Sequence, residues 1–220
     1  MKILITGGSK GLGLEIAKRV SLNLNYRVLI TYNKTYPAQL EKIKNIQLIK
    51  IDFKSGKLPS FLTDIDCLIN NYHSGYSFKN VTKHTSKYVA ESFLTNISPL
   101  IDLNNHFISK MKNKRSGTLI SIISSTIKPP FKLGMGIYTA EKTYLKVLTE
   151  FWRLELDRYG INVVNIYPRM LNTSFNSSID KRMLEIIKKR GGFSEIDHVV
   201  TLIIKALNSP REYSKKENFI

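Results

Sequence analysis

The chain is predicted to fold as one α/β domain, a doubly wound parallel sheet of about six to seven strands with helices on both faces. Three observations carry that expectation. Short aliphatic runs alternate with longer amphipathic stretches from end to end of the 220 residues. The runs are almost continuously apolar, as strands covered on both faces must be. Four glycines fall within seven residues directly behind the first run, where such a sheet turns from strand into helix.

In chain order, the strand candidates are KILIT (2–6), RVLIT (27–31), IQLIKI (46–51), IDCLIN (65–70), TLISIIS (118–124) and NVVNIY (162–167). Residues 12–23, 37–44, 85–113, 138–159 and 194–208 place apolar side chains at helical spacing. In the third of these, Pro99 stands mid-helix and can donate no backbone hydrogen bond, so a kink is expected near Thr95–Asn96. The kink is either simply tolerated or turns Asn96 toward a site. Pro129-Pro130 and Gly134/Gly136 bracket a loop behind the fifth strand.

A hydrophobic content of 42% over this length suits one domain with a sizeable core. No apolar run reaches the roughly 18 residues of a membrane span. MKILI leads straight into the glycine loop and is too short for a signal-peptide core, so no cleaved leader is expected. The single cysteine, Cys67, can form no internal disulfide and suits a reducing, cytoplasmic setting. The four histidines are scattered, and no metal site is expected. Lys and Arg number 34 against 17 acids, a formal net charge of +17. The excess is dispersed. It reads either as a solvated basic surface or as attraction for an anionic substrate or acidic partner. No nucleic-acid-reading motif is present, so no specific nucleic-acid partner is expected.

In TGGSKGLG (6–13), Gly7, Gly11 and Gly13 follow a strand and open a helix. Glycines so placed let the backbone turn tightly and approach a pyrophosphate, while the helix N-terminus offers free N–H groups and a positive dipole end. The segment is read as a dinucleotide site, with Ser9, Lys10 and Leu12 in the same loop. NAD sites usually carry an acid at the end of the second strand. Here that position is Tyr32, followed by Asn33 and Lys34. A missing acid and added lysines at 10 and 34 favour NADP(H) over NAD(H), unless both lysines are ordinary surface cations.

YTAEK at 138–142 sets Tyr138 and Lys142 one helical turn apart, on one face. A nearby ammonium favours the phenolate and brings a phenol toward the range useful for general acid–base work. Ser125 lies thirteen residues earlier, at the carboxyl end of the fifth strand, where ligands of open α/β sheets bind.

With these motifs in this order, the chain resembles the short-chain dehydrogenase/reductase family in its compact oxidoreductase subtype, over nearly all its length. The resemblance rests on TGGSKGLG, Asp52, Asn70-Asn71, Asn96, Ser125, YTAEK and the stretch from Pro168 to Thr173. It implies a Rossmann-type fold and an NAD(P)-dependent enzyme that interconverts a carbonyl and an alcohol. By that resemblance Tyr138 is the proton donor or acceptor, and Lys142 holds the nicotinamide ribose. Ser125 orients the substrate oxygen, and Asn96 fixes a relay water. Asp52 and Phe53 meet the adenine, Asn70 borders the adenosine ribose, and Thr173, beyond Pro168, reaches the carboxamide.

Three departures stand out. NNYHSG (70–75) replaces the family's NNAG, bringing Tyr72 and His73 beside the cofactor position. Pro168-Arg169 replaces Pro-Gly, and Arg169 either meets an anionic substrate group or faces solvent. The tail SPREYSKKENFI leaves a seventh strand and the family's tetramer contact in doubt. Residues 174–193 are expected to form a basic substrate-side flap within the single 1–220 domain. The expected substrate is a small carbonyl or alcohol, anionic or carried as an acyl thioester. A homo-oligomer is expected, a dimer through the long helices rather than a tetramer. The alternative is a dinucleotide-binding regulator or scaffold that has lost turnover.

Overall fold

The aliphatic runs pair side by side in a computed structural model that describes residues 1–55, 59–76, 78–173, 175, 185 and 192–220. The strands are β1 (Lys2–Ile5), β2 (Arg27–Tyr32), β3 (Ile46–Lys50), β4 (Cys67–Asn70), β5 (Gly117–Ile122), β6 (Ile161–Tyr167) and β7 (Asn218–Phe219). They form one seven-stranded sheet in the order β3-β2-β1-β4-β5-β6-β7, and every pairing is parallel. The order reverses between β1 and β4, and the carboxyl edge at such a switch point is where open α/β sheets open a crevice.

The helices are α1 (Gly11–Val20), α2 (Ser86–Asn96), α3 (Ser98–Lys114), α4 (Gly136–Leu156), α5 (Ile196–Asn208) and α6 (Pro210–Ser214). Side chains alternate across each strand, so a strand buried on both faces needs apolar residues at every position. Ile3 and Ile5 pack with Ile16 and Val20 of α1 and Ile203 of α5. Leu4 faces the opposite layer, with Phe107 and Met111 of α3. Phe107 is fully buried; truncating such a ring costs about 3–5 kcal/mol.

The structure departs from the expected elements in three places. The helix expected at 37–44 is only a 3-10 turn, Ala38–Leu40. Within that turn only Leu40 is buried, and Glu41, Lys42 and Lys44 beyond it are exposed, so the segment has no apolar face wide enough to hold a helix to the sheet. The stretch 85–113 is two helices that break at Ile97, with Pro99 in the first turn of α3. The break falls one residue beyond Asn96, where the missing proline N–H predicts it. The doubted seventh strand does form. Asn218 and Phe219 pair with Ile166 and Tyr167, and the Phe219 ring stacks on Tyr167 at 4.3 Å.

The flap expected at 174–193 lies outside the described residues, apart from Phe175, Glu185, Gly192 and Phe193. Among the described residues no helix is long and apolar enough to cross a membrane. Helix α4 leaves Tyr144, Val147, Phe151 and Leu154 exposed, a stripe at helical spacing.

Candidate active site

The glycine loop is shaped by contacts that exclude side chains. Gly7 and Gly11 adopt φ of +66° and +56°, a left-handed backbone that glycine reaches without strain. A Cβ on Gly13 would lie 2.4 Å from the Gly7 carbonyl oxygen and 2.5 Å from Asn71 Nδ2. That cradle brings the first turn of α1, with its free N–H groups, to the carboxyl edge of β1. The Gly7 N–H donates to Thr31 Oγ1 at 3.0 Å and the Gly8 N–H to the Thr31 carbonyl at 3.0 Å, which ties the loop to β2.

A cavity of about 470 Å³ opens along this edge, within the usual size of small-molecule and cofactor sites. Gly7, Ser9, Lys10, Gly11, Leu12 and Gly13 line one end, with Asn33 and Lys34 behind β2. Phe53 and Tyr72, whose ring centroids are 4.9 Å apart, form an aromatic wall. Tyr138, Lys142, Pro168 and Thr173 line the far end. The loop geometry therefore fits a dinucleotide diphosphate at α1. The lysines at 10 and 34, without an acid at Tyr32, suit an additional phosphate.

Four expected site residues stand elsewhere. Asn70 is buried and exchanges two 3.0 Å hydrogen bonds with Asn104 of α3. Its neighbour Asn71 faces the cavity instead, donating through Nδ2 to the Thr6 and Gly7 carbonyls. The signal in the sequence was Asn104 itself, a polar residue among Leu100, Leu103 and Phe107 that needs an internal partner. Asp52 is exposed, and Phe53 alone of that pair lines the cavity.

Ser125 is displaced by Ser124. The Ser124 side chain lines the cavity with Tyr138, whereas Ser125 is absent from the lining. Ser124 Oγ accepts from the Thr126 N–H at 3.2 Å and from Thr126 Oγ1 at 3.0 Å, so its own proton is free for a phenol or carbonyl oxygen. The chain leaves β5 here into the 3-10 turn Ser125–Ile127, which Ser124 caps. Strand alternation no longer decides which serine faces inward. The Ser-Ser-Thr run was the sequence signal for that cap.

Asn96 lies in the second layer. Its Oδ1 accepts from the Ser74 N–H at 2.8 Å and its Nδ2 donates to Glu141 Oε1 at 3.3 Å. The side chain fixes the loop after β4 rather than facing the cavity.

Lys142 is buried, and its Nζ donates to the Ile122 carbonyl at 2.8 Å. Burial brings its pKa down to about 8, with Glu141 acting the other way. Tyr138 departs from the sequence reading. Burial pushes its phenol up, Tyr76 and Glu141 add to the rise, and only Ser124 opposes it. The Lys142 ammonium is 5.8 Å from the phenol ring centroid and is held on the Ile122 carbonyl. The arrangement is a protonated phenol with a hydroxyl donor beside it and a buried amine behind. It can hydrogen-bond a carbonyl oxygen and deliver a proton to it.

Sequence reasoning did not anticipate the surroundings of Tyr138. The ring of His73 stands 5.1 Å away and that of Tyr76 4.9 Å. Met135, Met170 and Phe78 extend this apolar end.

Comparisons with known proteins show the family and the fold. The sequence model of the family described as short chain dehydrogenase matches residues 1–184. Ketoacyl reductase HetN of Nostoc is 25% identical over 221 residues, covering 94% of this chain and 75% of that protein. Serine 3-dehydrogenase of Agrobacterium fabrum is 25% identical, covering 79% of this chain and 73% of its own. Among solved structures, a short-chain dehydrogenase from Sphingobium yanoikuyae in complex with NADPH superposes with a TM-score of 0.78 at 21% identity, covering 94% of this chain and 84% of that one. The 4-hydroxyisoleucine dehydrogenase complexed with NADH superposes at 0.83 with 18% identity, covering 99% and 94%.

Proposed function

Because the chain belongs to the short-chain dehydrogenase family, we propose that it is an NADP(H)-dependent oxidoreductase that interconverts a carbonyl and an alcohol. One observation carries the reading: Tyr138, Ser124 and Lys142 share a single cavity with the α1 glycine loop. The nicotinamide, when bound, supplies or accepts the hydride. The chain's own residues bind and handle protons. Gly7 to Gly13 and the α1 N-terminus hold the diphosphate, and Lys10, Asn33 and Lys34 hold the 2′-phosphate. Phe53 and Tyr72 wall the adenine, and Thr173 borders the nicotinamide. Ser124 takes the place expected of Ser125, orienting the substrate oxygen while Tyr138 protonates it.

The preference for NADPH rests on the lysines and is supported by the NADPH complex of the Sphingobium neighbour; NADH remains an accepted second cofactor. Met135, Met170, Tyr76 and Phe78 favour an apolar substituent beside the carbonyl, and Arg169 at the cavity wall favours an anionic group farther out. The ketoacyl reductase among the relatives fits that combination. The exposed stripe of α4 favours a dimer, and the buried thiol of Cys67 fits a reducing cytoplasm.

The test is NADPH oxidation against ketones, aldehydes and 3-oxoacyl thioesters, with Tyr138→Phe as control. Turnover that the variant loses is the expected result. NADPH binding without turnover on the whole panel would favour the regulator reading.

A further inference from the structure

On the reading above the substrate carbonyl sits at Tyr138 and Ser124, but that alone does not say what the carbonyl is attached to. The side chains around this point differ from those of the main core. On the α1 and α5 side of the sheet the buried residues are aliphatic, Ile3, Ile5 and Val164 among them, with no buried ring. The cluster that holds Tyr138 is the reverse. Met135 and Met170 are its buried members, and Tyr76, Phe78, Tyr138 and Phe193 pack against them. Among the described residues this cluster contains no branched aliphatic side chain.

The rings face one another at the cavity wall. His73, Tyr76, Tyr138 and Phe175 all line it. Tyr76 stands 4.9 Å from Tyr138 and 5.4 Å from Phe175, centroid to centroid, with planes at 41° and 56°. His73 stands edge-on to Tyr138 at 5.1 Å and 72°, and to Phe175 at 5.7 Å and 75°. These are spacings at which aromatic pairs attract. Both faces and edges of rings are therefore offered to a group beside Tyr138.

The wall is held by the protein itself. His73 Nε2 lies 3.0 Å from Glu141 Oε2, and its Nδ1 accepts from the Gly75 N–H at 3.1 Å. The Lys79 N–H donates to the Gly134 carbonyl at 3.1 Å, which ties the segment carrying Tyr76 and Phe78 to the loop after β5. A Cβ on Gly134 would lie 3.1 Å from Phe78 Cδ1, so the two segments touch. Rings fixed in this way lose little freedom when a ligand binds.

We propose that the substrate is a carbonyl compound, or the matching alcohol, whose reacting carbon is joined to a flat aromatic ring directly or through one further carbon, and that Tyr76 and Phe175 select that ring. The proposal rests on the oxidoreductase reading and narrows its apolar substituent to an aryl group. An aryl ring meets these faces and edges through its own quadrupole, a gain beyond the burial of its area. A saturated ring or an acyl chain gains the burial alone, and leucine or isoleucine walls would serve it equally.

Phenylacetone and cyclohexylacetone separate these cases. They share a carbon skeleton and an unconjugated carbonyl, and the cyclohexyl group is the larger and more apolar. A pocket that merely excludes water therefore binds cyclohexylacetone at least as tightly. Titration of the full chain by NMR in the presence of NADP⁺, which permits no reduction, reads binding alone. Phenylacetone should bind with a Kd at least about fivefold lower, and kcat/KM with NADPH should follow the same order. Tyr76→Leu and Phe175→Leu, which keep an apolar side chain, should each bring the ratio at least about twofold closer to one. Equal or inverted affinities in the wild-type protein overturn the proposal, and that measurement needs no variant to fold. Binding of neither ketone overturns it too, as does a ratio unmoved in both variants when they are folded. NADPH turnover of the two ketones at equal kcat/KM overturns the aryl selection and leaves the oxidoreductase reading standing. Aryl-selective binding without NADPH turnover supports the aryl site and counts against the oxidoreductase reading alone.

Discussion

Lys142 Nζ donates to the carbonyl of Ile122 at 2.8 Å and stands 5.8 Å from the Tyr138 ring centroid. The amine is thus anchored on the last residue of β5, behind the phenol, in a position buried almost completely. Its pKa falls from 10.5 to about 8 because burial penalises the ammonium. The native state therefore binds fewer protons than the unfolded chain between about pH 8 and 10.5. Stability contributed by this residue rises with pH across that window and is absent below it. Lys142→Met should abolish this rise, a difference on the order of 3 kcal/mol for a shift of that size. It should also cut turnover by a factor of about 10²–10⁴. Melting temperatures of both proteins from pH 7 to 10 check the first part. A parallel pH dependence in both would contradict it.

Ser124 and Ser125 are adjacent and chemically identical, yet only Ser124 lines the cavity with Tyr138. Ser124→Ala should lower kcat by about 10²-fold, the typical loss on removing one donor to a developing oxyanion. Ser125→Ala should stay within about threefold of wild type, since its loss removes no hydroxyl from the cavity. Equal losses in the two variants would return the role to the serine expected from sequence spacing.

Lys10 and Lys34 line the same end of the cavity as Asn33. Replacing Lys34 by Glu should weaken NADPH binding at least about tenfold and leave NADH binding within about threefold, because only NADPH brings a phosphate there. Calorimetric titration of both nucleotides checks this. Equal weakening of both would mean that the lysine meets the shared diphosphate.

Phe151 and Leu154 are 59% and 73% exposed on α4. A dimer formed across this stripe should dissociate when both become charged, as in Phe151→Glu with Leu154→Lys. Sedimentation should then show the mass fall from two chains to one. A single-chain mass for the wild type at micromolar concentration would rule the stripe out as a contact.

Most of the fold was legible because each strand carries apolar residues on both faces, and only a covered parallel sheet requires that. Pro99 marked the break between α2 and α3 through its missing donor. Residues 37–44 misled because Leu40 and Ile43 mimic helical spacing, although a single buried leucine cannot anchor a helix. The glycine loop, Tyr138 and Lys142 were equally readable, since backbone approach and one helical turn are local geometry.

The sequence by itself determined the strands, the glycine loop at α1 and the Tyr138–Lys142 turn, all set by the local pattern of residues near in the chain. Tertiary structure decided which of two serines and which of two asparagines faces the cavity, because a strand that ends in a turn no longer alternates its side chains predictably. It alone brought His73 to Glu141, 68 residues away in the chain. It also reversed the expected direction of the Tyr138 shift, because the chain pattern carries no information on how much water a folded site excludes.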